Sequence, residues 1–134
     1  MYHQVVDAEP KDIHAVSVTA FSDQMGWLHE HGYEVVTVED LFVNSETLQA
    51  GSPSRRVAIT IDDGYLDTLT NALPILQKFD FTATIFLVAK RVGGVNDWDE
   101  TPSLRGAPLL TWEQVWELAG GGIGFGAHTA PIRI

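Results

Sequence analysis

The chain is expected to be α/β, with a parallel sheet or barrel at its centre, on three observations. Short β-branched apolar runs alternate with stretches of helical period along its length, an order that builds parallel sheets rather than sandwiches. The run Val57-Ala58-Ile59-Thr60-Ile61 is nearly unbroken in apolar character, which suits a strand covered on both faces. It halts at Asp62-Asp63-Gly64, and two carboxylates straight after a buried strand place negative charge at its C-terminal end, where α/β folds assemble their sites. An Asp-Gly pair is also an ordinary turn, so these three residues alone point both ways.

The elements follow in order. Met1 to Val6 reads as the end of a first strand, with His3 taken as a solvent-facing terminal histidine. Ser17 to His31 reads as a helix, because Phe21, Met25 and Leu28 recur on one face and Gly32 sits where the chain must leave the helix. Tyr33 to Val38 is the next strand, and Thr37 with Asp40 resembles a capping box before Leu41 and Phe42. Asn44 to Arg56 is a polar loop. Tyr65 to Asp80 is helical, with Pro74 in the first turn of its main part and a tighter turn before it. Thr82 to Val88 is a buried strand. Lys90 to Pro108 is a long surface loop, in which Trp98 reads as a partly buried anchor rather than a sugar-stacking ring. Thr111 and Gln114 form a second capping box, opening a helix that ends at Gly120 to Gly122. Ile123 to Ala127 is the last strand, and it delivers His128.

Composition narrows the function. The chain has 134 residues, enough for one domain over 1–134 with a real core. It carries 18 acidic against 8 basic residues, a net charge of −10, which disfavours a nucleic-acid partner held through phosphates. No apolar run approaches the ~20 residues of a membrane span, and no signal peptide is visible. With no cysteine, any metal must be held by histidine and carboxylate.

Because all strand C-termini of a parallel sheet lie on one rim, Asp62, Asp63 and His128 can converge. A carboxylate and an imidazole can ligate a metal, and a second carboxylate beside them can act as a base. The alternative is that His128 merely ends a strand and both aspartates stay solvated.

The segments TIDDGYLD, NALPILQKFDFTATIFLV and GFGAHT resemble the polysaccharide deacetylase domain (NodB homology, carbohydrate esterase family 4). The resemblance runs from Tyr2 to Thr129 and includes MYHQV and LLTWEQVWEL; Ile61 replaces Phe in the family's T-F-D-D-G. It implies a distorted (β/α) barrel, here truncated at its C-terminal side, with later motifs carrying an Arg, an Asp and a general-acid His beyond position 134. It further implies Asp62 as catalytic base, Asp63 as metal ligand, and His128 with Thr129 as the start of the motif H-[ST]-x-x-H. The implied cofactor is a divalent metal, zinc first, with cobalt or nickel as alternatives. The implied partner is an acetylated polysaccharide or oligosaccharide, whose N-acetyl carbonyl is attacked by metal-bound water to release acetate; some relatives cleave O-acetyl esters. Such proteins are often secreted or held in the cell envelope.

The second motif demands histidine at position 132, and the chain has Ile132. With one ligand fewer, the fragment is expected to be inactive, or a non-catalytic carbohydrate-binding remnant. The genetic code offers a repair. Ala130 to Ile134 can be written GCA CCC ATC CGG ATC, followed by T; one nucleotide restored after the first two bases gives GCN ACC CAT CCG GAT CT. The stretch then reads H-T-A-T-H-P-D-L, so a frameshift is expected at this point. IDDGYLDT also brushes the haloacid-dehalogenase signature D-x-D-G-T-L, a phosphatase using magnesium, but its carboxylates are two apart and these are adjacent.

Overall fold

A computed structural model describes residues 1–43 and 55–128. The polar loop expected from Asn44 lies outside the described residues up to position 54, as do Thr129 to Ile134. The described elements are β1 (Gln4–Val6), β2 (Ala15–Ser17), α1 (Val18–Glu30), β3 (Glu34–Val36), α2 (Val38–Val43), β4 (Arg56–Ala58), β5 (Thr60–Asp63), a π-helical turn (Thr68–Ala72), α3 (Leu73–Lys78), β6 (Thr84–Leu87), a 3-10 turn (Ala89–Arg91), α4 (Trp112–Gly120) and β7 (Gly124–Ala127).

Among the described residues the four strand pairings are all parallel, as the alternation of strand and helix predicts. They form three pieces, β1–β2, β3–β4 and β5–β6–β7, and among the described residues these do not close into a barrel. What links them is the strand from Arg56 to Asp63. It breaks at Ile59, so its first half pairs with β3 and its second with β6, while Tyr2 bridges to Ile61. The expected strand ended at Ile61; the observed pairing carries on through both aspartates.

The helices form for the reasons their sequences give. Ser17 Oγ accepts from the Ala20 amide at the start of α1, which buries Phe21 and Met25. Thr37 caps α2 through the Asp40 amide, and its hydroxyl donates to the Asp40 carboxylate in place of the reciprocal arm of a full box. At α4 both arms of the Thr111–Gln114 box are made. The turn before Pro74 is wider than an α-helix, not tighter as expected. Proline cannot donate to the preceding turn and its ring crowds the carbonyl there, and widening the helix relieves both.

Ile61, Ile85, Leu76, Leu110 and Val115 lie in the core between the sheet and the helices, with Phe21 and Met25 beneath β1. A second small core gathers Tyr65, Leu104 and Leu109, with Trp98 against it, so Trp98 is the anchor that was expected. The long segment after β6 is therefore no mere surface excursion. Its Asn96 and Leu104 are fully buried, and the Asn96 amide donates to the Ala107 carbonyl while its carbonyl accepts from the Gly106 amide. One strand is not signalled by the sequence: β2, three residues long, runs beside β1 from Ala15 to Ser17.

Candidate active site

Register brings the acidic turn and His128 to one rim. Asp62 pairs with Phe86, which pairs in turn with Gly126, and Asp63 pairs with Leu87, which pairs in turn with Ala127. The His128 amide then donates to the Leu87 carbonyl at 2.8 Å, holding the residue after β7 in line with the end of β6. In-register residues of a parallel sheet point the same way, so Asp62, Phe86, Gly126 and His128 share a face. That face borders a hollow of about 420 Å³ lined by Thr37, Thr84, Phe86, Gly124 and Gly126.

The imidazole and the first carboxylate meet: His128 Nε2 lies 3.6 Å from Asp62 Oδ2, with side chains 33% and 14% exposed. Asp63 differs in kind. Its φ is 70°, and Gly64 follows at 76°. A left-handed aspartate is uncommon and costs about a kilocalorie or more. Here it lets the chain leave the pleat at the rim. Glycine suits position 64 because of its positive φ, and a Cβ there would also lie 2.5 Å from Leu87 Cδ2, forcing that methyl to move. The turn is held from outside by the Leu110 amide on the Gly64 carbonyl and the Leu66 amide on the Pro108 carbonyl, both 2.9 Å.

Burial raises the Asp63 carboxyl above its ordinary value; His128 and His3 oppose the rise, Asp62 adds to it, and a hydrogen bond from Tyr65 lowers it. The Tyr65 hydroxyl accepts from Asn96 Nδ2 at 2.6 Å, and burial raises its own pKa, keeping it a neutral donor. Asp62, Asp63 and His128 thus come together as the sequence suggested.

His3 does not sit as expected. It is half-buried rather than solvent-facing, its ring lies edge-on to His14 with centroids 5.3 Å apart, and it acts on the charge of Asp63. The cause is backbone pairing on its N-terminal side. Tyr2 donates to the Thr60 carbonyl and accepts from the Asp62 amide, both at 2.8 Å, which carries the next residue onto the rim. The apolar opening residues signalled a strand, but nothing local signalled its neighbour.

Asp63 and His128 could be donors to a divalent metal. Among the described residues no three His, Asp or Glu side chains group into a metal-binding set, and a catalytic zinc site ordinarily has three protein ligands. Thr129 and Ile132, the other positions of the expected motif, lie outside the described residues. The described donors therefore do not by themselves fit a complete catalytic metal centre.

Residues 49–132 match the family model described as polysaccharide deacetylase. The chain is 33% identical over 130 residues to the Bacillus subtilis (strain 168) protein YxkH, covering 96% of this chain and 40% of that one. It is 31% identical over 131 residues to the poly-beta-1,6-N-acetyl-D-glucosamine N-deacetylase of Escherichia coli (strain K12), covering 88% and 18%. Among solved structures it superposes on IcaB from Ammonifex degensii with a TM-score of 0.73 and 31% identity, covering 96% of this chain and 50% of that one. The chain spans less than half the length of these two curated relatives.

Proposed function

This chain belongs to the polysaccharide deacetylase family, and from that membership we propose that its acidic rim serves the removal of N-acetyl, or O-acetyl, groups from an acetylated polysaccharide or oligosaccharide. The observation that carries the reading is the meeting of His128 with Asp62 beside the half-buried Asp63, at the C-terminal ends of strands that are distant in sequence. The three parallel sheet pieces are read as an arc of a distorted (β/α) barrel.

Hydrolysis of an amide needs a base to take a proton from water and a donor to protonate the departing amine. Asp62 is assigned as the base: it is mostly buried, ends a paired strand, and has His128 against one oxygen to orient it. His3, whose charge acts on Asp63, is proposed as the group that donates to the amine. Asp63 and His128 are proposed as ligands of a divalent metal, zinc first and cobalt or nickel as alternatives. Two donors are one short of the usual catalytic set, so no step is assigned to the metal, and the chain as it stands is proposed to turn over little or no substrate.

That shortfall favours one second reading, a non-catalytic carbohydrate-binding form of the domain. The test is incubation of the chain with N-acetylglucosamine oligomers and zinc, cobalt or nickel, following binding by NMR and acetate and free amine chemically. Binding that Asp62→Asn and His128→Ala perturb supports the assignment of the site, and acetate release separates enzyme from binding remnant. Absence of any binding, or turnover of a phosphate monoester with magnesium, would overturn it.

A further inference from the structure

We propose that Asn96 is a positioning residue for the acidic turn: through Tyr65 it holds Asp63 and Gly64 in their left-handed conformation at the rim. The inference rests on the reading of Asp63 as part of the site. Asn96 is fully buried and meets no ligand itself.

Two successive residues stand at positive φ, 70° at Asp63 and 76° at Gly64. For a residue with a Cβ, such a backbone persists only where its surroundings over-determine it. Upstream the sheet does this, since Asp63 pairs with Leu87. Downstream no strand follows the turn, and Tyr65 makes only an isolated antiparallel bridge to Leu109. The anchor on that side is the Tyr65 side chain. It is buried beside Leu104 and Leu109, where a hydroxyl needs a partner. Asn96 supplies one, its Nδ2 donating to the Tyr65 hydroxyl oxygen at 2.6 Å.

The orientation of the Asn96 amide follows from its other bonds. The side-chain oxygen accepts from the Trp98 and Asp99 amides at 3.2 and 3.0 Å, so that end is the acceptor and the nitrogen faces Tyr65. That oxygen closes the loop of Asn96 itself. The backbone does the same, through the Ala107 carbonyl at 2.9 Å and the Gly106 amide at 2.7 Å. None of these bonds needs the side-chain nitrogen. It reaches out of the loop, 31 positions back, to the residue that follows Gly64. The same segment carries Pro108 and Leu110, whose backbones bond to Leu66 and Gly64. The loop therefore grips the turn by side chain and main chain together.

The test is NMR of the isotope-labelled chain without metal or sugar. It reads the one-bond Cα–Hα coupling of Asp63, which separates left-handed from extended backbone, and amide exchange at Leu66 and Leu110. Tyr65→Phe keeps the ring and removes the acceptor. It is expected to move the Asp63 coupling toward that of negative-φ residues and to speed exchange at both amides at least about tenfold, because Asn96 Nδ2 loses that partner while buried. Asn96→Ala should do the same, and the double variant should do no more than Asn96→Ala alone, since both act through one bond. Ile75→Val, a mild truncation in the buried face of α3, is expected to lower the melting temperature and leave the Asp63 coupling as it was. If Asn96→Ala fails to fold, Tyr65→Phe against Ile75→Val decides. The proposal is overturned if Tyr65→Phe leaves the coupling unchanged, if Ile75→Val moves it equally, or if the two effects add in the double variant. None of these readouts needs turnover or sugar, so the positioning role can fail while the oligomer-binding test succeeds, and the reverse.

Discussion

His128 Nε2 and Asp62 Oδ2 lie 3.6 Å apart although β5 and β7 are not neighbours, so the pair reaches across the whole width of β6. The residue of β6 in register between their strands is Phe86, and the contact depends on where its ring is allowed to go. Its ring leans into the space over Gly126: a Cβ at that position would meet Phe86 at 2.5 and 2.6 Å.

Gly126→Ala should therefore push the Phe86 ring back toward the site. Expected effects are a loss of about 1–3 kcal/mol in stability, the usual range for overpacking, and a weaker Asp62–His128 contact. Urea unfolding measures the first, and the His128 ring resonances report the second. Gly120→Ala, where a Cβ meets nothing within 4 Å, serves as the control and should be neutral or slightly stabilising.

Asp62 and Asp63 should not be interchangeable. Zinc titrated into the chain by calorimetry is expected to bind weakly, and Asp63→Asn or His128→Ala should weaken it further by at least about tenfold, roughly 1.4 kcal/mol for the lost donor. Asp62→Asn should leave metal affinity within a few-fold while removing any acetate release. Equal metal loss in both aspartate variants would reverse the assignment.

Burial pushes the Asp67 carboxyl up to about 7 in the folded chain, from an ordinary 3.8. The folded state then holds a proton that the unfolded state has released, so stability falls as pH rises from about 4 to about 7 and levels off above that. The slope should be roughly 1.4 kcal/mol per pH unit across the window. Asp67→Asn, which has no proton to lose, should flatten that slope and be the more stable chain at pH 8. Parallel unfolding curves at all pH values would show that Asp67 titrates normally.

The DNA across codons 130 to 134 is expected to carry the shifted frame set out above, with a histidine at position 132 once one nucleotide is restored. Sequencing the source DNA checks this directly. If it holds, the repaired protein should bind zinc far more tightly than the present chain and release acetate. Codons incompatible with GC-ACC-CAT-CCG-GAT would make Ile132 a true change at the site.

Much of the fold could be read because its signals are local. Phe21, Met25 and Leu28 mark a helix face by spacing alone, and a capping box such as Thr111 with Gln114 is complete within four residues. The rim carboxylates were legible for the same reason, a β-branched run ending in two acids. What escaped depends on distant partners. Ala15 to Ser17 is too short and too mixed to declare a strand, and becomes one only because β1 lies beside it. His3 looks like a loose end until Tyr2 pairs with Thr60 and Asp62. The widened turn before Pro74 is not legible in the sequence, because proline signals a break without saying which way the helix gives.

The bond from the Asp62 amide to the Tyr2 carbonyl joins residues sixty positions apart, and that has a meaning for a chain being made on a ribosome. At about 5–20 residues per second, several seconds separate the synthesis of Tyr2 from that of Asp62. Throughout that interval the segment bearing His3 has no partner strand from the central sheet and is open to chaperones and proteases. The rim is thus assembled late, when its oldest residues are finally met by ones made half a chain later.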